Sequence, residues 1–206
     1  MTHFTVAIIL PHEVRDIDGF ISQQMEPFNE NAEVPAYVAY SLEQAAEDLK
    51  QQIHRFELIL SREEPHFNLD KCREQLEQLR QTTPEQHFQD RLRFHERFND
   101  QGEPLSNYNP DSKWDWYVVG GRWDGWINDR ETSAEQFADN IATTEQAIER
   151  DKIPHAIITP DGEWHENGQM SWWGMMLTEN EDWDAEAMKL FASYPAYQVI
   201  IVDAHI

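Results

Sequence analysis

Apolar residues recur at two periods along this chain, and the change of period marks out its elements. Phe4-Thr-Val-Ala-Ile-Ile-Leu10 is a β-rich run closed by Pro11, and Tyr197-Gln-Val-Ile-Ile-Val-Asp-Ala-His-Ile206 is a second. From about residue 41 to residue 100 the period lengthens to that of a helix. Ser41-Leu-Glu-Gln44 has the form of a capping box, and Leu42, Ala45, Ala46, Leu49, Ile53, Phe56 and Leu60 share one side of the helix it opens. Asn68 caps a second helix, with Leu69, Cys72, Leu76 and Leu79 at helical spacing. Thr83-Pro84 opens a third, which the alignment of Phe88, Leu92, His95 and Phe98 carries to about Phe98.

Turn-rich sequence follows at 99–104 and 107–112. Trp116-Tyr-Val-Val119 reads as a short strand, and Gly120-Gly121 as a bend where the chain needs positive φ or close backbone approach. Ser133 is placed to cap a helix to about Arg150. His155–Thr159, a turn at Pro160-Asp-Gly162 and Glu163–Glu166 form a hairpin signal, and Asp184 to about Ser193 a final helix. The predicted fold is a single α+β domain over 1–206, with one mixed or antiparallel sheet that uses both chain termini. A helical insertion at about 41–100 interrupts it. The pattern does not give the sheet order.

Composition sets limits on this picture. With 206 residues, 40% of them hydrophobic, the chain can bury a substantial core. No run of about 18 apolar residues is present, and the start lacks a basic region and a cleavage site, so a cytoplasmic protein with no membrane association is expected. One cysteine, Cys72, excludes an internal disulfide. The net charge of −23 is uneven: residues 50–97 hold nine Lys/Arg against nine Asp/Glu, while 98–206 hold six against twenty-one. Such a surface repels nucleic-acid phosphates, so direct nucleic-acid binding is not expected. A basic protein partner, divalent cations or solubility alone fits it better.

Strand parity suggests one site. In the last strand Ile200, Val202, Ala204 and Ile206 share one face, and Val199, Ile201, Asp203 and His205 the other; in the first, His3 stands opposite the face of Phe4, Val6, Ile8 and Leu10. If the two strands are neighbours with those apolar faces together, His3, Asp203 and His205 converge. The hairpin adds His155, His165 and Glu166. The candidate catalytic set is therefore His3, His165, Asp203 and His205, suited to a general acid/base pair or a divalent metal. No His-x-x-x-His spacing supports a metal, so whether one binds stays open. No cofactor motif is present and none is expected.

Residues 112–126 hold four of the chain's eight tryptophans. As structure, Trp114, Trp116, Trp123 and Trp126 build an aromatic core layer with Arg122 stacked on a ring, and Trp116 and Trp123 are expected to be largely buried. As function, Lys113, Trp114, Trp116, Arg122 and Trp123 form a site for a planar or anionic small molecule. Gly168–Met176 mixes Met with Trp172 and Trp173 and reads mainly as core. The acids Glu179, Glu181, Asp182, Asp184 and Glu186 precede or open the last helix. There they favour its dipole as a solvated start, or offer a surface to a basic partner.

In four stretches the chain resembles a family of uncharacterised proteins encoded by bacteriophages and bacterial mobile elements: Asn109–Trp123 with its Lys113-Trp-Asp-Trp-Tyr117 and Gly120-Gly-Arg-Trp123, Thr159–His165, His3–Val6 and Val202–Ile206. The resemblance implies a phage or prokaryotic setting and assigns no catalytic residue. Two functions then compete. One is an accessory interaction protein working through its acidic surface and aromatic patches, inhibitory where its acids mimic nucleic acid. The other is a small metal-assisted or acid/base hydrolase of a small or nucleotide-like ligand. A purely structural phage component is a third, and oligomeric state is not set by the sequence.

Overall fold

The first strand, β1 (His3–Leu10), and the last, β8 (Gln198–His205), pair antiparallel along their whole length, from His3 opposite His205 to Leu10 opposite Gln198. The computed structural model describes residues 2–62, 66–129, 136–168 and 180–206. The chain divides into two compact units, Met1–Ala32 with Tyr108–Ile206, and Glu33–Asn107.

In the first unit the described residues give one sheet of six strands. β4 (Trp116–Val119), β8, β1, β6 (Ala156–Ile158) and β7 (Trp164–Glu166) lie in that order, and β5 (Ile141–Thr143) also pairs with β8. Only β1 and β6 run parallel, so the sheet is mixed and the fold is α+β. Both faces are covered, which is why β1 and β8 are almost wholly apolar. One face sets Phe4, Val6, Ile8, Ile200 and Val202 against α1 (Ile17–Met25) through Ile21 and Met25. The other sets Ala7, Ile9, Ile157 and Ile201 against Trp183 and Phe191 of α7 (Trp183–Ser193) and Ala147 of α6 (Thr144–Glu149). Each Val, Ile, Met or Phe among them, fully buried, contributes roughly 1.5–3 kcal/mol.

The second unit holds α2 (Leu42–Arg62), α3 (Leu69–Gln81), α4 (Pro84–Leu92) and a two-stranded pair, β2 (Tyr37–Val38) with β3 (Leu105–Ser106). Its caps form as the sequence predicts: Ser41 with Gln44, Asn68 with the amide of Lys71, and Thr83 with Gln86. The helix from Thr83 stops at Leu92, short of Phe98. Residues beyond it join backbone pairing with the segment that leads into β3, where Phe98 bridges Pro104 and Leu105 donates to the Arg97 carbonyl. Phe94 and Phe98 consequently stay exposed.

Two other expectations change. The single helix expected up to Arg150 is broken: α5 (Gln136–Asn140) gives way to β5, and a capping box of Thr143 with Gln146 restarts it as α6. The edge of β8 beyond β4 takes Ile141 and Thr143 as ladder partners, which outweighs local helix propensity. Ser133, Trp172, Trp173 and Glu179 lie outside the described residues. Among the described residues no helix is long and apolar enough to cross a membrane.

Candidate functional site

β8 is hydrogen-bonded on both edges at its C-terminal end, to β1 through His3 and to β4 through Trp116, both of which stand opposite His205. Because side chains alternate, this register sends His3, Trp116, Asp203 and His205 to one side of the sheet. The rings meet there: His3 lies edge-on to His205 with centroids 5.1 Å apart, and Trp116 stacks on His205 at 5.2 Å.

Each imidazole has its own carboxylate. His3 Nδ1 lies 2.8 Å from Asp203 Oδ1, and His205 Nδ1 lies 2.6 Å from Asp115 Oδ1. A carboxylate only accepts, so each ring holds a proton on Nδ1 toward its carboxylate, which leaves Nε2 as the atom that exchanges a proton. Asp203 is 1% and His205 4% exposed, whereas Trp116 is 43% exposed over them. A buried carboxylate without donors would be costly, and Asp203 has a second one: the Arg122 amide donates to Oδ2 at 2.8 Å. The Gly-Gly bend makes that possible. Gly121 sits at φ 56°, and a Cβ there would stand 2.5 Å from Asp203 Oδ2.

Glu30 joins the cluster from a distant part of the sequence. Its amide donates to the Trp114 carbonyl beside a parallel bridge between Asn29 and Trp114, which sets Glu30 next to Asp115. Burial holds its carboxyl above the usual range, the charge of Asp115 adds to this and His205 opposes it. Glu30 Oε2 is buried with no hydrogen-bond partner among the described residues. Strand parity cannot find this residue, because it lies in a turn and belongs to no strand of the sheet. Asp115 was legible only as part of the tryptophan segment.

The other candidates are dispersed. His165 lies level with Ala7, two strands across and four residues along from His3, about 13 Å along the sheet and about 10 Å across it. It does not join the pair. Lys113 is ion-paired with Glu166 at 2.7 Å, and Trp114 is buried with its indole N–H on the Met25 carbonyl. Arg122 is exposed, Trp123 is half-buried against Trp126, and the cation over Trp126 is Lys152. The four tryptophans therefore divide between the two faces of the sheet instead of forming one layer. Trp116 is a surface ring, contrary to the burial expected of it. Asp182, Asp184 and Glu186 stand exposed at the start of α7, Glu181 just before it.

Two imidazoles fixed in one tautomer beside a half-exposed ring can take and give protons for a ligand stacked on that ring. Among the described residues no three His, Cys, Asp or Glu side chains are grouped to hold a metal ion. Comparison with protein families, curated proteins and solved structures returns no match.

Proposed function

We propose that the protein is a small hydrolase that works by general acid/base catalysis on a small or nucleotide-like ligand, at the end of the sheet where β1, β4 and β8 meet. The observation that supports this reading is the meeting of His3 and His205, each oriented through Nδ1 by its own carboxylate. One neutral ring takes a proton from the attacking water, and the other, protonated, gives one to the leaving group. Such a pair contributes typically 10²–10⁴-fold. Trp116 supplies a stacking face and the exposed Arg122 a guanidinium for an anionic group. Incubation with 2′,3′-cyclic mononucleotides and bis(p-nitrophenyl) phosphate tests it. Turnover with a bell-shaped pH dependence, reduced at least about a hundredfold in both His3→Ala and His205→Ala, is expected. Equal turnover by all three proteins overturns it.

A second reading rests on the exposed acids at the start of α7 in a chain of net charge −23. Under it the protein is an accessory factor of a phage or mobile element, in the host cytoplasm, and binds a host or phage protein with a basic surface. Its acids then stand where nucleic-acid phosphates would. The salt dependence of capture, set out below, tests this reading separately.

A further inference from the structure

His3 and His205 are anchored, and the ring that covers them is not. Each imidazole is held through Nδ1 by its carboxylate, 2.8 Å from Asp203 and 2.6 Å from Asp115. Trp116 lies over them on ring contacts, stacked on His205 with centroids 5.2 Å apart and edge-on to His3 at 5.3 Å. Trp114, Trp164 and Trp183 are each fixed by an indole hydrogen bond, to the Met25 carbonyl, to Glu166 and to the Pro154 carbonyl. The indole of Trp116 makes none among the described residues.

That difference matters because of what the ring closes off. The side chain of His205 is 5% exposed and that of His3 12%, so little of either imidazole meets solvent. Proton transfer needs heavy atoms within about 3 Å, or one water between them. A ligand on the outer face of Trp116 is held away from His205 by the indole itself, so a ligand that uses both the ring and the pair must enter between them. The position of Trp116 favours this. It is 43% exposed on β4, an edge strand, and its neighbour on the same side, Val118, is 37% exposed. No hydrogen bond has to break as the indole lifts, and a planar ligand stacked on His205 replaces the contact that is given up.

We propose that Trp116 is a lid on the histidine pair, closed on His205 in the free protein and lifted by rotation about its side-chain bonds to admit a planar ligand between the two rings. The lid takes its purpose from the hydrolase reading, but its test uses no turnover, so either can fail without the other. Diethyl pyrocarbonate acylates an accessible imidazole nitrogen, and peptide mass spectrometry of the whole protein reads each histidine separately. In the wild type His205 is expected to react fully, but about tenfold or more slowly than the exposed His54, because only the open fraction reacts. Trp116→Ala is expected to bring it within about threefold of His54. Three results overturn the lid: His205 as fast as His54 in the wild type, equally slow in both proteins, or inert in the wild type and fast in Trp116→Ala. The first two show that the ring covers nothing, and the third that it never opens. Should Trp116→Ala not fold, fluorine NMR of the wild-type chain labelled with 5-fluorotryptophan decides instead. Microsecond-to-millisecond exchange is expected at Trp116, identified by the signal that Trp116→Phe loses, and not at Trp114. Absence of exchange at Trp116 then overturns the proposal.

Discussion

The Arg122 amide and the Asp203 carboxylate are joined at 2.8 Å across 81 residues of sequence, and the same carboxylate holds His3 on its other oxygen. The link depends on Gly121, whose Cα lies against Asp203 with no space for a methyl group. Gly121→Ala must accept a φ near 56° and push Asp203 or Val118 aside. The expected cost is roughly 2 kcal/mol or more. Urea denaturation measures it, and an unchanged midpoint would show that the bend does not position the carboxylate.

The aromatic segment divides into core and surface. Trp114, 6% exposed and bonded to the Met25 carbonyl, should cost about 3–5 kcal/mol when replaced by Ala. Trp116, at 43% exposure, should cost under about 1.5 kcal/mol on the same replacement while ligand turnover falls. Thermal melts of the two variants decide the matter; equal losses would return Trp116 to the core.

His155 makes stability depend on pH. Burial keeps its ring below the ordinary histidine value; Glu166 opposes the shift and Lys113 adds to it. With the folded pKa lower than the unfolded value near 6.5, the unfolded chain binds more protons just below that pH. Its contribution to stability is full above about 6.5 and declines as pH falls toward the folded pKa. The urea midpoint should drop between about pH 7 and pH 5, and His155→Gln should flatten that slope. Proton titration by NMR should place His155 below a free histidine, and a normal or raised value would refute the assignment.

The acids of α7 predict a salt response. If Glu181, Asp182, Asp184 and Glu186 contact a basic partner, capture from a host lysate should weaken steeply as the Debye length falls from about 10 Å toward 3 Å. Replacing all four with amides should weaken low-salt capture and remove most of that dependence. Capture indifferent to both changes rules out this surface.

Strand-derived features were the most legible. Alternation in 3–10 and 198–205 already placed His3, Asp203 and His205 on one face, and the pairing of the termini brought them together. Asp115 and Glu30 were not legible in that way. They reach the cluster by loop geometry and a single parallel bridge, which leave no periodic trace in sequence. β5 was hidden for a different reason: its three residues were absorbed into a helical pattern, and only the free edge of β8 makes them a strand. The exposure of Trp116 follows from its position on β4, an edge strand of this sheet, and composition carries no information about edges.

The central place of β8 has a consequence for how the molecule comes into being. β1 is synthesised before the other strands of this sheet, yet its antiparallel partner lies some 200 residues later. Until that partner arrives, β1 and β4 have no strand between them, and a run of apolar backbone stays open on one side. Long-range pairing of this kind is slow and leaves the chain open to aggregation. The histidine pair shares that schedule, since half of each pair's contacts arrive with β8. Whatever this site does, it does only in a chain whose translation has passed residue 205, and a shortened product would be inert at this site as well as unstable.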